Sequence, residues 1–132
     1  MRITGPFDVK VTPETVSLPN AEHGRLSLNK HYHGPLEGPS VGEMLSGGDP
    51  KSGTGGYVAM ETVTATLDGR NGSFQLMHWG TMHSGGGFDV RIEVVPASGT
   101  GDLKGLTGTM KIEFGPKGEH GYVLEYELPA GE

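Results

Sequence analysis

Apolar and polar residues alternate along this chain with the two-residue period of a half-buried β-strand. Phe88-Asp89-Val90-Arg91-Ile92-Glu93-Val94 puts four apolar side chains on one face and three charges on the other. Thr109-Met110-Lys111-Ile112-Glu113-Phe114 and Tyr122-Val123-Leu124-Glu125-Tyr126-Glu127-Leu128 repeat the pattern. Eight segments meet strand criteria, near 5–11, 25–33, 36–46, 56–67, 73–83, 88–96, 107–114 and 121–128. Short Gly- or Pro-containing turns separate most of them, such as His33-Gly34-Pro35, Asp68-Gly69-Arg70-Asn71-Gly72 and Ser84-Gly85-Gly86-Gly87. Three joins are longer: Thr12 to Gly24, the glycine-rich Ser46 to Gly55, and Ala97 to Leu106.

No join contains a crossover helix, so each strand is expected to pair antiparallel with its predecessor. Eight strands sharing one apolar face close naturally, because closure removes both sheet edges. The expected fold is all-β: a single up-and-down antiparallel β-barrel of eight strands over residues 1–132, with little or no helix. The interior of such a barrel is just wide enough to be filled by side chains or to hold one small ligand. Which of these it does is the functional question.

Three strands carry an ionisable residue where the alternation calls for an apolar one: Lys30, Glu61 and His78. Ionisable groups enter a small core only when they are paired or used. A four-residue connection between Leu67 and Gly72 would set Ala65 against Phe74, Val63 against Leu76 and Glu61 against His78 on one face. The other face would then set Met60 against Trp79 and Thr62 against Met77.

Composition narrows the classes of function. The chain has 132 residues, enough for one core, and no cysteine, which excludes disulfides and thiol chemistry. Its 24 Gly and 9 Pro suit a sheet protein rich in turns. A formal charge of -6 without a basic cluster argues against nucleic acid, whose phosphates need Lys and Arg. No apolar run is long enough to span a bilayer and no export signal is apparent, so no membrane role and a cytoplasmic location are expected. No Gly-rich stretch leads into a helix with P-loop residues, and no nucleophile elbow or paired glycosidase acids occur. No cofactor is expected.

Glu61 and His78 form the first candidate site, as catalytic residues: a carboxylate beside an imidazole orients the ring and raises its basicity, which suits proton transfer. The alternative is a structural pair that fixes strand register. Lys30 shares its face with Leu26, Leu28 and Tyr32, and if internal it needs a carboxylate from Glu43, Glu37 or Glu61. Otherwise it is a mouth lysine whose ammonium reaches water. Tyr57, Tyr122 and Tyr126 fall on apolar faces with Phe74 and Phe114, as core or as walls of a cavity. Lys30, Tyr57, Glu43 and Tyr126 are the expected ligand-binding residues.

His31-Tyr32-His33 followed by Glu37 has a His-x-His-x-x-x-Glu spacing that resembles the first metal motif of the cupins, with His78 or His83 as a last ligand. The second cupin motif is missing, and alternation turns His31 and His33 away from the Leu26-Leu28-Tyr32 face. The reading therefore favours exposed histidines on an outer wall over a metal site. Met60, Met77 and Trp79, with Val58 nearby, fall on the outer face of the fourth and fifth strands, and a homo-oligomer interface is expected there.

Gly24-Arg25-Leu26-Ser27-Leu28-Asn29-Lys30, His33-Gly34-Pro35-Leu36-Glu37-Gly38, Gly56-Tyr57-Val58-Ala59-Met60-Glu61 and the stretch Ser98 to Gly108 resemble, in order, segments of the bacterial domain-of-unknown-function 3224 family. The likeness runs from about Phe7 to Leu128. Gly99 to Gly108 also resembles the glycine-rich turn of allene oxide cyclases and dirigent proteins, and that resemblance implies a barrel with an apolar cavity. The first family brings no assigned activity, so function has to be argued from the site. The expectation is a barrel that binds a small, largely apolar or unsaturated molecule, and if it is an enzyme, a cofactor-free isomerase or cyclase. The alternatives are an oligomeric scaffold with a filled core and a cupin-like metal-binding protein.

Overall fold

A computed structural model describes residues 1–129. Its strands are β1 (Arg2–Glu14), β2 (Gly24–Tyr32), β3 (Leu36–Asp49), β4 (Thr54–Leu67), β5 (Arg70–His83), β6 (Gly87–Val94), β7 (Thr107–Phe114) and β8 (His120–Glu127). They form one closed antiparallel barrel in sequence order, with β8 pairing back onto β1. Single turns of 3-10 helix at Pro50–Ser52 and Gly101–Leu103 are the helical elements among the described residues. No helix among them is long and apolar enough to cross a membrane.

β3 and β4 run past the glycines at which the sequence pattern ends them. β3 runs to Asp49 and β4 starts at Thr54, so the join read from Ser46 to Gly55 is mostly paired ribbon. Glycine is needed there for close approach: a side chain at Gly55 would meet the Gly47 carbonyl oxygen at 2.4 Å. Between β4 and β5 the turn is Asp68-Gly69 alone, with φ of 48° and 85° at its two residues, the positive pair of a type I′ hairpin. The register is therefore two residues from the expected one. Glu61 faces Leu76, Ala59 faces His78, Met60 faces Met77 and Val58 faces Trp79. A slip of two preserves the sidedness of every residue, so Glu61 and His78 still share the lumen as diagonal neighbours.

The two ends of the barrel differ. At one end, closed by the β2–β3 turn, the β4–β5 turn and the β6–β7 connection, Tyr32, Leu36, Phe74, Leu76, Tyr122 and Leu124 pack a dry core. Leu103 and Leu106 from the β6–β7 connection are fully or almost fully buried and plug it. The Tyr122 hydroxyl ties the β2–β3 turn down, donating to the His33 carbonyl at 2.8 Å and accepting from the Leu36 N–H at 3.1 Å. Toward the other end the inward-facing residues become progressively exposed. β6 and β7 pair only beside the packed end, as Ile92 with Met110 and Glu93 with Thr109, and beyond that short seam Phe88 and Phe114 stand 64% and 61% exposed.

Candidate functional site

Between the packed end and the open end lies one polar layer. Alternation on β2 turns Lys30 and Tyr32 inward, β3 adds Ser40 opposite Lys30, β4 adds Glu61 and β5 adds His78. Residue exposures of 8% for Lys30, 1% for Glu61, 4% for His78 and 2% for Ser40 place all four inside the wall. Glu61 is the hub. Its Oε2 accepts from Lys30 Nζ at 2.9 Å and lies 2.5 Å from His78 Nε2, while Oε1 accepts from the Tyr32 hydroxyl at 2.5 Å and from Ser40 Oγ at 2.8 Å. Both carboxylate oxygens are thus doubly satisfied, the condition under which a buried charge is tolerated.

Burial alone would push the Glu61 carboxyl up. The hydrogen bond with His78 and the positive charge of Lys30 outweigh it and hold the group at about 2, so it is a carboxylate. Burial, and then the Glu61 charge, raise the Tyr32 hydroxyl well above its ordinary range, so it stays protonated and donates. The Lys30 ammonium also lies 5.2 Å from the Phe7 ring centroid and 5.8 Å from that of Tyr32, in reach of cation–π attraction.

An acceptor at Glu61 fixes the histidine tautomer: Nε2 carries the proton toward the carboxylate, which leaves the Nδ1 lone pair free. No side-chain nitrogen or oxygen among the described residues is buried without a partner, and Nδ1 has no protein partner among them. That atom is the one polar position of the buried His78 ring not engaged by the layer. The Tyr57 ring packs edge-on against the His78 ring, with centroids 6.3 Å apart. Burial and the Glu61 charge raise the Tyr57 hydroxyl too. Space around the layer comes from small residues. A side chain at Gly42 would strike Glu61 Cβ at 2.8 Å, and one at Gly80 would strike the Tyr57 ring at 3.0 Å.

Lys30, Glu61, His78 and Tyr57 thus come together, and of the three carboxylates weighed for Lys30 it is Glu61 that pairs with it. Two expected ligand-binding residues lie elsewhere. Glu43 is on the outer wall, since its register partner Met60 and its strand neighbours Val41 and Leu45 all face outward, and it binds Arg25 Nε at 2.8 Å. Tyr126 faces inward but at the packed end, where its hydroxyl donates to the Asp68 carboxylate. It is core. His31, His33 and Glu37 lie on the outer wall near the closed end, and neither lumenal His78 nor His83 at the opposite end of β5 joins them, so no cupin arrangement forms. Tyr32 and Ser40 were not singled out as site residues. Their signal was positional: Tyr32 is two residues from Lys30 on the same face, and a tight β2–β3 turn sets Ser40 opposite Lys30.

With this geometry the chain can be placed among known proteins. The family described as "Protein of unknown function (DUF3224)" matches residues 3–126. The chain belongs to the DUF3224 family. A crystal structure of a DUF3224 protein of unknown function from Shewanella oneidensis MR-1 superimposes with a TM-score of 0.88 at 42% identity, covering 98% of each chain. Among curated proteins no match is found. DUF3224 membership fixes the barrel and assigns it no chemistry, so the site must supply the argument.

Five clefts among the described residues are lined without Lys30, Ser40, Glu61 or His78. One, of about 890 Å³, is a loop-lined recess at the closed end bordered by Arg70, Asp102, Lys104 and Pro129. It lies on the far side of the packed core from His78. A cleft of about 330 Å³ occupies the open end, bordered by the inward-facing Gly24, Ser46, Gly48, Gly55 and Met82. On β4 the half-buried Tyr57 lies between Gly55, which borders this cleft, and Glu61, with its ring edge-on to that of His78.

Proposed function

We propose that this barrel binds a small, largely apolar molecule through its open end, with the polar layer as the floor of the site. The observation that carries this reading is a change along the lumen, from a hydrocarbon core through one satisfied charged layer to apolar inward positions left exposed, among them Val11, Met82, Phe88 and Phe114. Exposed apolar residues around a recess with a few polar groups at its base are the usual make-up of a small-molecule site. Tyr57 would move aside on entry, and the ligand's polar end would meet His78 Nδ1 and the Tyr57 hydroxyl. Glu61 would act as the positioning residue for His78 and Lys30.

Any chemistry would be a cofactor-free isomerisation or cyclisation, as the likeness to the allene oxide cyclase barrels suggests. His78 Nδ1 would take a proton from one ligand carbon and return it to another, leaving the protein unchanged, while the cavity holds the chain near its reactive conformer. The test is binding of 1-anilinonaphthalene-8-sulfonate followed by fluorescence, beside mass spectrometry of small molecules retained by the native protein. Saturable one-to-one binding that His78→Ala and Phe88→Glu each weaken at least about tenfold, roughly 1.4 kcal/mol, supports the site. Binding that both substitutions leave untouched removes the lumen from consideration.

A second reading, an oligomeric barrel acting through its outer wall, is favoured by the exposure of Val41, Leu45, Val58, Met60 and Trp79 on adjacent strands.

A further inference from the structure

The outward residues of β1, β2 and the start of β3 meet at one point near the closed end. His31 leaves β2 on its outer face opposite Asp8 of β1, and His33 follows two residues later. The three-residue turn, with Gly34 at φ 103°, reverses the chain so that Glu37, the second residue of β3, lies back against both imidazoles. One donor atom from each of His31, His33 and Glu37 falls within 4.8 Å of the others. Among the described residues this is the one such group of three.

We propose that His31, His33 and Glu37 bind a divalent transition-metal ion of the Zn²⁺ type on the outer wall, with Asp8 holding His33 from behind. The two carboxylate–imidazole spacings suit a shared metal ion. Metal–ligand bonds of roughly 2.0–2.1 Å place neighbouring donors about 2.9 Å apart at right angles and about 3.4 Å apart in a tetrahedron. Glu37 Oε2 is 3.1 Å from His31 Nε2 and 3.4 Å from His33 Nδ1.

The surroundings of these donors fit as well. His33 Nε2 lies 3.0 Å from Asp8 Oδ2, so a proton held there by the aspartate would free Nδ1, on the Glu37 side of the ring, to ligate a metal. A carboxylate behind a histidine is the usual support of a metal-ligating imidazole. The other oxygen of Glu37, Oε1, accepts from the Gly34 N–H at 3.1 Å, which leaves Oε2 to the two rings. Two carboxylates beside the two imidazoles supply negative charge that a dication offsets. Nitrogen and oxygen donors without sulfur suit Zn²⁺, Ni²⁺ or Co²⁺, and three protein ligands leave positions for water.

The assignment is independent of the lumen, because His31 and its partners face away from Glu61. The test is titration of untagged protein with Zn²⁺ in competition with a chromophoric chelator, beside visible absorption with Co²⁺. One Zn²⁺ per chain is expected. His33→Ala and Glu37→Gln should each weaken binding at least about tenfold, and Asp8→Asn by roughly 10- to 100-fold through the ligand it supports. His83→Ala should leave affinity unchanged. The four substituted side chains of the cluster are 41–83% exposed, so the variants should fold. Their thermal unfolding without metal should match the wild type, and only the wild type should gain stability on adding Zn²⁺. Wild-type affinity no tighter than that of a His31→Ala/His33→Ala double variant, or equal affinity in Glu37→Gln, would overturn the assignment.

Discussion

Glu61 is the residue on which both the stability and the chemistry of the lumen turn. Its carboxyl titrates at about 2 in the folded chain against an ordinary 4.5, because His78 and Lys30 favour the charged form by more than burial disfavours it. A depressed carboxyl stabilises the fold fully above its unfolded value and loses that contribution as pH falls through its folded value. The window is therefore about pH 4.5 down to about 2, and the contribution is about 3 kcal/mol. Urea unfolding across that window should show the wild type weakening with acid more steeply than Glu61→Gln. The variant should start lower at neutral pH by about 3–5 kcal/mol, because Lys30 is left buried without its partner. Equal acid slopes in the two proteins would show that the carboxylate does not stabilise the fold. Lys30, Glu61 and His78 were visible in the sequence because a charge breaks an apolar alternation wherever it occurs. Tyr32 and Ser40 break nothing, as a tyrosine and a serine are ordinary strand residues, and their part in the layer emerges only when β2, β3 and β4 are laid side by side.

At the scale of elements, the strands were legible and the turns less so. The eight segments follow from period-two patterning, which backbone geometry enforces, whereas the ends of β3 and β4 were hidden by glycines that serve close strand approach. The β4–β5 turn shows what the error consisted of. Asp68-Gly69-Arg70-Asn71-Gly72 contains two possible turn sites, and the Asp-Gly pair takes the two-residue type I′ form that matches strand twist. That choice moves every β4–β5 pair by two residues and moves no side chain to the other face. The turn gives a clean backbone test. A Cβ at Gly69 meets nothing within 4 Å, so Gly69→Ala changes the cost of a φ of 85° and no packing. It should destabilise by about 1 kcal/mol, read as a shift of the urea midpoint at unchanged slope, while Asp68→Asn at φ 48° should be close to neutral. A Gly69→Ala variant as stable as the wild type would mean the hairpin is not held in this conformation.

For the whole molecule, closure followed from the hairpin connectivity, while the thin β6–β7 seam that leaves one end open could not be read from segments of ordinary strand pattern. The outer wall carries the last consequence. Two neighbouring rows cross it: Leu45, Val58, Trp79 and Arg91 in one, Glu43, Met60, Met77 and Glu93 in the other. We propose that a second copy of the chain covers this face. A two-fold axis lying in the contact plane, across the strands and midway between the rows, would set each row against the other row of the partner. Val58 then meets Met60, Trp79 meets Met77, and Arg91 of each copy meets Glu93 of the other, so one patch supplies both the apolar centre and its charged complement. Sedimentation should give a dimer for the wild type. Trp79→Glu, which puts a charge at the centre, should weaken association by about 2 kcal/mol or more. The sharper test is charge reversal: Arg91→Glu should disfavour the dimer by opposing Glu93, and adding Glu93→Arg should restore it, because the swapped pair has the same complementarity. Restoration distinguishes contact across this axis from any other use of the apolar strip, and a wild type that sediments as a monomer, or a double variant no better than the single, would exclude the arrangement.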